Sequence, residues 1–194
     1  MSRRLALTFA AVALGVAGFV TADAVSAGRF AVHELMREGS PIAWLSSMLL
    51  AGASVAALVL ALRSSRAPGA FFALAAALAA AAVDERFMGH ERLKHFILAT
   101  AFGYDRAAMG HWGDAPMALV PLVGAWLVWT LRRELHGRLC LGLLLGAIAA
   151  GTVAVALDIA TLAPAAQAVE EVLEVVAETL FLMALLARVS MGRD

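Results

Sequence analysis

The chain alternates long apolar runs with short polar breaks. Six runs approach the roughly 20 residues needed to cross about 30 Å of hydrocarbon. They cover 4–27, 42–62, 67–83 with a polar continuation to about 98, 116–131, 139–160 and 168–188. Helix breakers separate them: Gly39-Ser40-Pro41, the Ser/Pro/Gly-rich stretch 64–69, residues 110–116 and Ala163-Pro164. The expected fold is all-α: a polytopic integral membrane helix bundle of about six transmembrane helices. It forms one domain over 1–194, with no clear internal repeat.

The sixth run does not fit a plain membrane helix. Its second half is apolar, but its first half carries Glu170, Glu171, Glu174 and Glu178. At 3.6 residues per turn, Glu171, Glu174 and Glu178 fall within an arc of about 60°, with Glu170 beside it. A central acid costs on the order of 2.5–3.5 kcal/mol on insertion scales, so such a stripe needs partners, water or a cation.

Composition agrees with the membrane reading. Of 194 residues, 62% are hydrophobic and only 15% charged, and the mean hydropathy is +0.85. Net charge is zero and no basic block occurs, which removes support for a nucleic-acid partner. Cys140 is the single cysteine, excluding an internal disulfide and any multi-cysteine metal site. Arg3-Arg4, the apolar run to Val20 and the small residues Ala24 to Ala27 resemble a signal peptide, but the segment is read as a retained first helix.

Counting Lys and Arg sets an expected orientation. With the N-terminus inside, Arg3, Arg4, Arg63, Arg66, Arg132, Arg133, Arg138, Arg188 and Arg193 are inner, and Arg29, Arg37, Arg86, Arg92, Lys94 and Arg106 are outer. The bias places both termini in the cytoplasm, with a bacterial inner membrane as the expected location. Trp126 and Trp129 near the inner boundary suit an aromatic belt, and Pro121 should kink the fourth span. Gly142 and Gly146, extended by Ala150, have the spacing of a close-packing helix face.

Depth then groups the acids. Counted at 1.5 Å per residue from each inner end, Glu174 lies about 21 Å out, Asp84 about 24 Å, Glu171 about 25 Å, Asp23 about 28 Å and Asp158 about 30 Å. Four helices thus place acids in one outer slab, while Glu178 lies deeper. Taken singly, Asp23 and Asp158 read as boundary residues meeting headgroups or water.

The third span adds Asp84, Glu85, Arg86, His90, Glu91, Arg92, Lys94 and His95. On a continued helix Asp84, Met88, Glu91 and His95 share one face, Glu85 and Arg92 a neighbouring stripe, and His90 points away. The expected site is a carboxylate/histidine metal centre at the outer, periplasmic ends of helices three and six. Asp84, Glu91, Glu171 and Glu174 would give oxygen and His90 or His95 nitrogen, with Glu178 as a deeper, catalytic proton acceptor. Mixed carboxylate and imidazole suits a divalent transition metal, iron, manganese or zinc, better than calcium.

Known metal motifs do not match. Glu91 and His95 are four apart, where di-iron bundles use three, and His90 and His95 stand about 140° apart, where His-Glu-x-x-His needs one face. The functional expectation is therefore a small membrane protein with a metal site, as a metal-dependent oxidoreductase or hydrolase of lipid-soluble substrates. The alternatives are a non-catalytic subunit or scaffold of a membrane complex, a proton or cation carrier, and a structural ion-pair network among the same acids and Arg86, Arg92, Lys94 or Arg29. Expected partners are membrane lipid and a homo-oligomer or larger membrane complex. The stretch 96–114, with Phe102, Tyr104, His111 and Trp112, reads as an interfacial loop that could cover the acidic slab.

Overall fold

A computed structural model describes residues 3–26, 41–87, 119–135, 137–160 and 164–191, with the single positions 96 and 100. The described chain is all-α. Its helices are α1 (Arg3–Ser26), α2 (Pro41–Arg63), α3 (Pro68–Phe87), α4 (Leu119–Leu131), α5 (Arg138–Ala160) and α6 (Pro164–Ser190). Each falls within or around one of the six apolar runs.

Three helices, α2, α3 and α6, begin on a proline. Proline suits the first helical position because its φ is already helical and its missing N–H would have no intrahelical acceptor there. The α2–α3 connection is tied by Ser64, whose Oγ accepts from the Ala67 N–H at 3.0 Å. The turn into α5 uses Gly137 at φ 113°, a conformation that favours glycine.

Packing is organised around α2 and α6. α3 lies along α2, α5 along α6, and α2 and α6 join the two pairs, while α4 touches α5 and α1 touches α6 and α2 more lightly. α2 buries the stripe Ile42, Ser46, Leu49, Ala53, Ala56 and Leu60. Its neighbouring face carries Ser47 and Ser54, whose hydroxyls donate to Ala82 O at 2.7 Å and Ala75 O at 2.8 Å on α3. α6 is buried almost all round from Leu182 to Leu185, and Ala184, Leu185 and Ala187 are fully enclosed.

α5 approaches α6 through small residues, though not through the expected pair. A Cβ at Gly146 would lie 3.3 Å from Leu180 Cδ1 and one at Gly151 3.7 Å from the Ala177 Cβ, whereas one at Gly142 would meet nothing within 4 Å. The close approach is thus made by Gly146 and Gly151. One end of the bundle is stitched by arginines: Arg63 Nη1 donates to Val189 O at 3.1 Å, and Arg188 Nε to Glu134 O.

Among the described residues, two helical stretches are long and apolar enough to cross a membrane, Ile42–Arg63 and Arg138–Ala160. Only 39% and 22% of their apolar windows are buried inside the protein. A soluble core helix of that composition would be mostly enclosed, so these helices direct apolar surface outward.

Candidate functional site: an acidic cluster between three helices

The acids lie where the packed faces run out. On α3 the buried stripe Phe71, Leu74, Ala75 and Ala82 continues at helical spacing to Glu85, and Asp84 stands about 100° round the axis from it. On α5 the buried stripe Cys140, Leu144, Ala147 and Ala154 continues, through Gly151, to Asp158. On α6 Glu171, Glu174 and Glu178 prolong the line of Leu182 and Leu185. The buried faces of α3, α5 and α6 thus each run on into carboxylates.

Electrostatic coupling follows that layout. Glu85 acts on Glu171, Glu174 and Glu178, and Asp158 acts on Glu171. Glu170, Glu171 and Glu178 act on Glu174 along α6 itself. Like charges repel more strongly where water is scarce, so grouping these acids carries an electrostatic cost.

Glu178 is the deepest member. Its Oε1 accepts a 2.5 Å hydrogen bond from the Ser46 hydroxyl on α2, and Ser46 is only 3% exposed. Its Oε2 is fully buried with no hydrogen-bond partner. A buried acceptor left open costs about 1–3 kcal/mol, a deficit that a proton, a water or a cation would remove.

The expected site residues fare differently. Glu171, Glu174 and Glu178 are half-buried and grouped as the helical spacing implied. Asp84 is half-buried in the last turns of α3, next to Glu85, whose carboxylate is coupled to the stripe. His90, Glu91 and His95 lie outside the described residues, as does the loop 101–114. Asp158, read singly as a boundary residue, joins the cluster through Glu171. Arg86 sets its guanidinium over the Trp44 ring, 4.2 Å from the centroid. Among the described residues, no three His, Cys, Asp or Glu side chains come within joint reach of one metal ion.

Two contributors were not among the expected site residues, Ser46 and Glu85. A signal for each existed in its stripe. Ser46 is the one polar position in the apolar series Ile42, Leu49, Ala53 and Ala56, and Glu85 falls in phase with Phe71, Ala75 and Ala82.

A family model described as "Domain of unknown function (DUF8692)" matches residues 4–189. The chain belongs to the DUF8692 family. The match runs from the first turn of α1 into the last turn of α6, so the family is defined over the whole bundle, and the acidic cluster lies inside it. No curated protein and no solved structure matches the chain.

Proposed function

We propose that this DUF8692 member is a six-span integral membrane protein that binds a cation in the acidic cluster at the ends of α3 and α6. The observation that carries the proposal is the electrostatic coupling of acids on three helices, Glu85 with Glu171, Glu174 and Glu178, and Asp158 with Glu171. Intramembrane acids that face a bundle interior are costly unless a counter-charge repays them. The outward apolar surface of α2 and α5 supports the membrane setting, as do Trp126 and Trp129, which are 63% and 66% exposed. Nine basic residues on the inner side against six outside support cytoplasmic termini, which puts the cluster near the outer, periplasmic face of a bacterial inner membrane.

In this reading Glu171 and Glu174 of α6 are the oxygen donors, Glu85 adds negative charge beside them, and His90, Glu91 and His95 complete the set. That mixture suits iron, manganese or zinc. A metal held there would polarise a lipid-soluble substrate or activate water, with Glu178 as the deeper proton acceptor. The second reading, a proton or cation carrier, is favoured by the buried, unbonded Oε2 of Glu178 at the inner end of the carboxylate ladder.

The test is elemental analysis of protein purified from membranes without chelator, paired with proton flux in vesicles. The metal reading expects about one transition-metal ion per chain, lost in Glu174→Ala and Glu85→Gln. No metal, with flux abolished by Glu178→Gln, would replace it by the carrier reading. Neither metal nor flux would refute both.

A further inference from the structure

At the end of the bundle opposite the acidic cluster the charge is reversed. The ends of α2, α4 and α6 and the start of α5 carry Arg63, Arg66, Arg132, Arg133, Arg138 and Arg188, against the carboxylate of Glu134 among the described residues there. The bonds from Arg63 to Val189 O and from Arg188 to Glu134 O hold these segments together.

α4 reaches this end with two unlike sides. Leu127 and Leu131 pack on the core, Leu131 being fully buried. On the other side Leu122, Trp126 and Trp129 fall within an arc of about 60°, and all three are strongly exposed. Arg132 follows in the turn after the helix. Its guanidinium lies 3.8 Å from the centroid of the Trp129 ring, and its Nη1 donates to Trp129 O. That uses one N–H of a group that carries several, and the side chain stays exposed.

The order of these groups and their charge point to one ligand. Along about 10 Å of helix the face passes from aliphatic side chain to indole and then to guanidinium. A phospholipid passes in the same order from acyl chain through glycerol to phosphate, and indoles favour the middle level. The excess of arginine over carboxylate at this end selects a net negative headgroup over a zwitterionic one. Stacking on Trp129 fixes the guanidinium plane before a lipid arrives, so its fork can meet a phosphate with little further loss of side-chain freedom.

We propose that the outward face of α4 is a binding site for an anionic phospholipid, with its phosphate on Arg132 and an acyl chain over Trp129, Trp126 and Leu122. The inference rests on the membrane setting but not on cation binding by the acids.

The experiment is native mass spectrometry of the full chain in mild detergent, titrated with equimolar phosphatidylglycerol and phosphatidylcholine of the same acyl chains. Phosphatidylglycerol should be retained about fivefold better, the worth of one arginine beside an anionic headgroup. Arg132→Gln should erase the preference. Trp129→Leu keeps every charge but removes the ring beneath Arg132, and should lower the preference about twofold or more. Arg66→Gln removes an equal charge from the α2–α3 connection at the same end and should leave the preference unchanged. Equal retention of both lipids, a loss in Arg66→Gln as large as that in Arg132→Gln, or displacement of the bound lipid by excess soluble glycerol phosphate would overturn the proposal. So would a dimer that excludes the lipid and is broken by Trp126→Ala, since a second copy would then cover the face. A chain stripped from membranes by an alkaline wash would refute the membrane setting and the proposal with it, whereas equal retention by a chain that resists the wash refutes the lipid site alone.

Discussion

The contact between Ser46 and Glu178 offers the sharpest energetic test, because it joins two helices at a buried acid. Ser46→Ala removes the donor at 2.5 Å from Oε1 and leaves a carboxyl group whose other oxygen already lacks a partner. A hydrogen bond to an ionised group contributes about 1.5–3 kcal/mol and a neutral one about 0.5–1.5 kcal/mol in soluble proteins. Interhelical bonds in membranes average about 0.6 kcal/mol with a maximum near 1.7 kcal/mol. The short, enclosed geometry puts this pair at the upper end, so a coupling of about 1–1.7 kcal/mol is expected. The assay is a double-mutant cycle of Ser46→Ala and Glu178→Met on reversible unfolding in mixed micelles. Glu178→Met alone should be neutral or stabilising, since it replaces a partly unsatisfied buried acid by a hydrocarbon of similar length. A coupling below about 0.3 kcal/mol, the scatter of independent sites, would refute the pairing.

Other outcomes follow from the packing. Leu185→Ala should cost about 2–5 kcal/mol because the residue is fully enclosed, while Leu145→Ala at an outward position should change unfolding by less than about 0.5 kcal/mol; equal effects would contradict the assigned faces. Gly146→Leu should disrupt the α5–α6 contact through Leu180, and Gly142→Leu should be tolerated, compared by thermal unfolding in detergent. Cys140 is fully buried, with its Sγ 3.4 Å from Ala184 O, so the folded protein should resist maleimide and react fully once denatured. Labelling of the native protein at the denatured rate would place Cys140 on an open surface instead.

The apolar runs were enough to find the helices, because long hydrophobic stretches bounded by Pro and Gly leave little freedom in where they start and stop. The α6 carboxylate stripe was also legible, since it depends only on spacing within one helix. What spacing alone does not specify is how each helix is rotated against its neighbours. That rotation is chosen by packing, and it couples Glu85 to the stripe. It likewise brings Asp158 to Glu171 and turns Gly151 toward Ala177 while Gly142 stays open. Ser46 was hidden for another reason: serine is common in membrane helices, and only its partner across the interface gives it meaning.

In the proposed function the acids of α3 and α6 hold a cation. An anomalous-scattering map, from crystals of protein purified without chelator and collected across the iron, manganese and zinc edges, tests it most directly. A peak beside Glu171 and Glu174 that disappears in Glu174→Ala is expected. A map with no peak there in protein that retains its fold, or a peak elsewhere that Glu174→Ala leaves unchanged, would contradict it.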